Sequence, residues 1–244
     1  MKASEIIGRV GIALNDVQRV RWTLAELVNY INDGQRQIVM LLPDANAVTA
    51  SIKLDVGTRQ RIPATAGTDP NGVAVVPGIR LLRLTRNMGV DGMTPGRAIR
   101  ETSRAALDNE LPDWHAETPS LTVQNFVYDN VAPKQFHVYP PAQADVYVEA
   151  IYSGIPKTVE VDQSGVTAGT DDLDLPDEYL SPLVDYVLAR CYAKDAEFAG
   201  NTARATAYMQ TFSTTIGMSK ELGGAASAPQ AATPTPAAVP ELGG

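Results

Sequence analysis

Apolar residues change their spacing twice along this 244-residue chain, from helical to strand-like and back to helical. That pattern points to an α+β fold in which helices from both ends form a bundle with an antiparallel β region inserted between them. The sharpest helical stretch is "TLAELVNYINDGQRQIVMLLP". Thr23 and Glu26 have the T-x-x-E spacing of a capping box, in which each side chain satisfies a backbone N–H at the helix start. Leu24, Leu27, Val28, Ile31, Ile38, Val39 and Leu42 recur at intervals of three and four, and Pro43 forbids continuation. Gly34 stands in the middle of this helix, where glycine costs about 1 kcal/mol relative to alanine. Close packing of a second helix against Gly34 would offset that cost. The opposite face carries Glu26, Asn29, Asn32, Asp33, Gln35 and Arg36, a polar surface suited to a neighbouring molecule. An earlier helix is expected from Ser4, as N-cap, through Leu14, with Ile6, Ile7 and Val10 on its apolar face.

From residue 47 the period shortens. "AVTASIKLDV" is rich in β-branched residues, and "VAVVPG" ends at a Pro-Gly turn. "LTVQNFVYD", "KQFHVYP" and "ADVYVEAIYS", separated by short turns, predict a three-stranded antiparallel meander over 121–153. Residues 97–110 admit two readings, a strand edge or a helix beginning at Thr94-Pro95 with Arg97, Arg100 and Arg104 on one face. Helical spacing returns at Ser181-Pro182, read as N-cap and first helical residue, with Leu183, Val184, Val187, Leu188, Cys191 and Phe198 in a stripe. Gly200 suits a helix end, and Asn201 starts a second helix carrying Ala205, Tyr208, Met209, Phe212 and Ile216, so the pair reads as an antiparallel hairpin. The expected organisation is therefore N-terminal bundle helices in 1–46, a β-rich insertion in 47–170, a helical hairpin in 171–222 and a disordered Ala/Pro-rich tail in 223–244.

Charge is distributed unevenly. The net value is −8, yet residues 53–104 carry +5 and residues 105–244 carry −13. An overall acidic chain is poorly suited to wrapping nucleic-acid phosphates. The arginines of the middle, Arg80, Arg83, Arg86, Arg97, Arg100 and Arg104, suit ion pairs with carboxylates, because the guanidinium fork matches two oxygens at once. An acidic run, Asp171, Asp172, Asp174, Asp177 and Glu178, is their natural counterpart on another surface. It lacks the D-x-[DN]-x-[DN]-G spacing that folds a loop around calcium, and it reads as a solvated lead-in to a helix start.

Chemistry is sparse. No G-x-S-x-G elbow, H-E-x-x-H pair or phosphate-binding glycine loop occurs. The two histidines, His115 and His137, fall in a turn and in a predicted strand, and the lone Cys191 lies on an apolar helical stripe. No cofactor and no metal is expected, nor an enzyme, although the acidic run would be the site if the chain were one. No stretch approaches the roughly 20 apolar residues of a membrane helix, and the N-terminus lacks a signal peptide's apolar centre.

Four segments in order, "RWTLAELVNYINDGQRQIVMLLPDA", "LPDWH", "FHVYPPAQADVYVEAIYSGIP" and "LPDEYLSPLVDYVLARCYAKDAEFAGN", resemble signatures of the head-to-tail adaptor (connector) proteins of tailed bacteriophages. The likeness covers roughly residues 5–218. It implies a homo-oligomeric ring, typically of twelve copies, docked beneath the portal protein and offering a surface to a tail or nozzle protein. It also implies that packaged DNA is retained and then passes through the channel without sequence-specific binding. The resulting location is the head-tail junction of the virion, after synthesis in the host bacterial cytoplasm, with no membrane involvement. The alternative is a tail or baseplate module binding glycans or proteins through Tyr128, Tyr139, Tyr147 and Tyr152 of the meander.

Overall fold

A computed structural model describes residues 1–227 except 163, 164, 168, 196 and 199, without the side chains of 222–227. In chain order, α1 (Ala3–Ala13) and α2 (Leu24–Leu41) precede β1 (Ala47–Lys53), β2 (Gly57–Arg61), β3 (Gly67–Thr68), β4 (Ala74–Val75), β5 (Gly78–Asn87) and β6 (Arg100–Glu101). Then come α3 (Arg104–Glu110), β7 (Asn125–Tyr128), β8 (Gln135–Ala142), β9 (Tyr147–Gly154), α4 (Leu180–Lys194) and α5 (Asn201–Ser227). The architecture is α+β, with α1, α2, α4 and α5 forming a bundle and the longer strands between them forming two sheets.

The bundle core draws on both ends of the chain. Ile6, Val10, Leu27, Ile31 and Ile38 pack in one cluster with Leu183, Val187, Cys191, Phe212 and Ile216. A Cβ built on Gly34 would overlap Leu183 Cδ1 and come within 2.9 Å of Tyr186 Cδ1, so α4 crosses α2 at the glycine. Thr23 caps α2 by accepting from the Glu26 N–H at 3.4 Å. The reciprocal half of the expected capping box is diverted. Glu26's carboxylate instead accepts from Tyr30 Oη at 3.0 Å and pairs with Lys194 Nζ of α4 at 2.7 Å.

Four local expectations are corrected. Ser4 is not the cap of α1, because the helix already begins at Ala3; the remote Asp171 takes that role. Its carboxylate accepts from the Ser4 N–H at 2.7 Å and from Ser4 Oγ at 2.8 Å, and its carbonyl accepts from the Ala3 N–H at 2.8 Å. Helix α4 starts at Leu180 behind a short 3-10 turn, so Pro182 occupies the third position rather than the first. Proline is tolerated there because the first N–H groups of a helix have no partner within it. Phe198 lies outside α4 and is 55% exposed, with the Arg21 guanidinium 4.6 Å above its ring. Finally, Asn32 and Gln35 are not on an exposed polar face but are 6% and 1% exposed. Asn32 exchanges two 2.9 Å hydrogen bonds with the Val159 backbone, and Gln35 Nε2 donates to the Lys157 carbonyl at 3.3 Å. These amides hold the returning chain against α2.

The longer strands form a three-stranded sheet in the order β1-β9-β5 and a four-stranded sheet in the order β2-β8-β7-β6. Their inner faces share one core, to which Ala50, Leu81, Leu84, Val148 and Tyr152 contribute from the first sheet, and Phe126, Phe136 and Val138 from the second. The predicted meander therefore breaks after its second strand. β7 and β8 pair antiparallel, but β9 crosses to the other sheet and lies between β1 and β5 with both edges bonded. Val146, Val148, Ala150 and Tyr152 share its buried face as the alternation indicates; which strands flank it is a long-range matter. In 97–110 both readings hold part of the answer. β6 is an edge strand running parallel to β7, and α3 begins only after Ser103, whose hydroxyl accepts from the Ala106 N–H.

β5 is ten residues long and has no counterpart among the strands expected from the sequence. Its buried residues Gly78, Leu81, Leu84 and Asn87 recur every third position, because register shifts fall between 78 and 80, 81 and 83, and 84 and 86. Each bulge adds a residue and resets the alternation. The C-terminal expectation also shifts, since α5 continues to Ser227 where a tail was expected from 223, and residues 228–244 of that tail lie outside the described residues.

Candidate interaction surfaces

The bulged rhythm of β5 has a direct chemical result. With one extra residue per repeat, Arg80, Arg83 and Arg86 all stand opposite Ser153, Ile151 and Glu149 of β9, on the sheet face away from the shared core. A regular strand would send Arg83 to the other face from Arg80 and Arg86. Arg86 Nε lies 3.6 Å from Glu149 Oε2, and Arg80 donates to Asn130 Oδ1. Arg97 is brought to the same neighbourhood because its carbonyl accepts from the Asn87 N–H at 2.9 Å at the end of β5. Arg100 sits on the edge strand β6, and Arg104 lies in α3, 3.8 Å from Asp108. Arg83, Arg97 and Arg100 are exposed and make no ion pair among the described residues.

The acidic run lies apart from these arginines, at the end of the bundle where α1 begins. Asp171 caps α1, Asp172 is 3.9 Å from Lys2 Nζ, Asp174 accepts from the Lys157 N–H at 2.7 Å, and Asp177 pairs with the N-terminal amine at 2.8 Å. Part of its charge is thus used within the chain. The side chains of Asp172 and Asp177 nevertheless remain 76% and 85% exposed. Among the described residues no ion pair joins the arginines to this run, and no group of three or more His, Cys, Asp or Glu could hold a metal ion.

Other candidate residues fall into place chemically. Cys191 is fully buried in the bundle, and burial pushes its thiol up to about 12, so it is held as the protonated, unreactive form. The four meander tyrosines do not form a common surface. Tyr152 is completely buried with its hydroxyl donating to the Val76 carbonyl, while Tyr139 donates to Glu117 on the outer face of the other sheet.

Both histidines meet in one aromatic cluster, which the sequence did not suggest. Trp114 is buried and stacks on His115 with ring centroids 3.6 Å apart, and His137 lies edge-on at 5.7 Å from His115. Asp108 accepts from Trp114 Nε1 at 2.8 Å, and Thr58 Oγ1 bonds His115 Nδ1 at 2.8 Å. Arg59 stands opposite His137 in the β2–β8 pairing. Burial, followed by the charges of Arg104, His115 and Arg59, lowers the His137 pKa below the usual histidine value. No local pattern announces Arg59; its significance comes only from the strand register.

No helix is long and apolar enough to cross a membrane among the described residues. No curated protein matches the chain. A family model described as SU10 adaptor protein matches residues 1–238, which span the bundle and both sheets. On that whole-length match, the chain belongs to the SU10 adaptor protein family, a family of phage adaptors.

Proposed function

We propose that this protein is a structural, non-enzymatic component of the virion that assembles into a ring between portal and tail, retains packaged DNA and lets it pass at ejection. The observation that carries the proposal is the family match across residues 1–238. A ring of identical subunits needs a heterologous contact, in which one patch of each copy meets a different patch of the next. Two patches of opposite sign support this arrangement. Arg83, Arg97 and Arg100 make no ion pair of their own on the sheets among the described residues, and the exposed carboxylates of Asp172 and Asp177 lie at the end of the bundle. In the proposed assembly, twelve copies meet through such pairs, the portal lies above and a tail or nozzle protein below. An acidic chain suits a DNA conduit, because a phosphate-attracting lumen would slow passage.

Mass photometry of the purified protein, alone and mixed with its portal protein, tests the proposal. A species of ring mass, formed alone or on the portal, is the expected result. A strict monomer that ignores the portal at micromolar concentration would overturn it.

A further inference from the structure

Between α3 and the outer face of the four-stranded sheet lies a cleft of about 590 Å³, lined by Arg59, Ser103, Arg104, Asp129, Gln135 and His137 among others. Two guanidinium groups converge on it from different elements, Arg59 from β2 and Arg104 from α3. Gln135 Oε1 accepts from Arg59 Nε at 2.9 Å, which orients the guanidinium while its two terminal nitrogens find no partner among the described residues. Among the described residues Arg104 is anchored only by the long 3.8 Å contact to Asp108. Asp129, whose carboxylate lines the cleft, is turned toward its own loop, where it accepts from the Val131 N–H at 2.9 Å. Half-buried His137 forms the wall and faces Arg59, Arg104 and His115.

We infer that this cleft is a socket for an acidic side chain of a second copy of the chain. A carboxylate entering it would meet a guanidinium fork already aimed by Gln135, a geometry in which the attraction is stronger than for a free surface pair. The second copy is well supplied, since residues 105–244 hold 19 acidic side chains against six basic ones. This inference rests on the self-association in the proposed function and names a contact distinct from the β5 arginines.

The test converts the socket into a trap. Arg59→Lys retains the charge at an exposed position and places a primary amine in the cleft, where a carbodiimide can join it to a visiting carboxylate as an amide with loss of water. Full-length protein, mixed from isotopically light and heavy preparations, is treated and digested. The expected result is a covalent dimer at least severalfold more abundant than in the wild type, with the introduced amine joined to an Asp or Glu of the other isotope. Links from that amine only to acidic residues of its own copy, in protein that sedimentation velocity finds self-associated, would overturn the socket and leave the ring intact. Protein that never self-associates, alone or with the portal, would overturn both. Arg59→Glu is expected to weaken self-association roughly tenfold at low salt; unchanged association counts against the socket. Titration of the wild type with inorganic phosphate, followed by the His137 Cε1–H resonance, supplies the remaining arm. Selective saturation at millimolar phosphate, without any intermolecular link from the introduced amine, would identify a free-oxyanion site and overturn the second-copy socket.

Discussion

The bundle and the sheets handle their polar groups in opposite ways. In the bundle, several charges and amides join remote parts of the chain. Glu26 pairs with Lys194, Arg21 with Asp195, Asp171 caps α1, and Asn32 and Gln35 bind the segment at 157–159. On the sheets, by contrast, Arg83, Arg97 and Arg100 remain exposed without an ion pair among the described residues. The difference shows where polar groups hold the chain together and where they are left for a neighbour, the exposed carboxylates of Asp172 and Asp177 at the bundle end belonging with the second kind. An internal charge contact serves the subunit, whereas exposed guanidinium groups without an ion pair among the described residues are available to a neighbour.

Substitutions at the internal contacts of the bundle should therefore cost stability, and those at the exposed arginines of the sheets should cost assembly. The largest effect is expected at Gly34→Leu, which drives a side chain into Leu183 and Tyr186. Overpacking of this kind costs about 1–3 kcal/mol, occasionally more, and here it falls on the α2–α4 crossing, so loss of the cooperative unfolding transition in urea is the outcome to look for. Next comes Asn32→Ala, which strands the Val159 N–H and C=O in the interior and should cost about 1–3 kcal/mol; a change in urea midpoint below a few tenths of a molar would contradict the role given to Asn32. Arg97→Glu with Arg100→Glu should leave stability within about 0.5 kcal/mol, as for most surface changes. That pair should weaken assembly, and the loss should depend on ionic strength. Equal assembly at every salt concentration would show that these arginines take no part in contacts between copies.

The smallest effect concerns protons. The folded-state pKa of His137 lies below its ordinary value of about 6.5. The unfolded chain therefore takes up a proton first as pH falls. Stability should decline as pH drops below about 6.5 toward the folded pKa and flatten beyond it. His137→Gln should remove this component, which a urea-midpoint series between about pH 7.5 and 5 would reveal. An unchanged slope would assign the pH dependence to other groups.

How much of this was legible in the sequence follows from the range of the interactions involved. The α2 cap, its stop at Pro43 and the crowded glycine are local, and "TLAELVNYINDG" with the proline that follows carries them. The joining of helices from both chain ends in one bundle, with an antiparallel β region inserted between them, followed from the change of period. β5 escaped because its three bulges replace alternation with a three-residue rhythm, which resembles neither a regular strand nor a helix. The cap of α1 by Asp171 joins residues far apart in the chain, and no short window contains both partners. The Arg59 cleft is harder still. It needs the β2–β8 register, the placement of α3 and the Gln135 contact together, and each is settled by packing rather than by neighbouring residues.

The split composition of the bundle has a consequence for the order of events at the ribosome. Helices α1 and α2 are made first, yet the core that buries them includes Leu183, Val187, Phe212 and Ile216. Until those residues have emerged, the apolar faces of the first two helices lack much of their cover. The sheets between can mature during that interval, since their shared core draws on no residue beyond Tyr152. Once formed, they shorten the loop that must be closed to join the chain ends, which lowers the entropic cost of completing the bundle. The inserted sheets would then act in biogenesis as the hinge on which the subunit shuts.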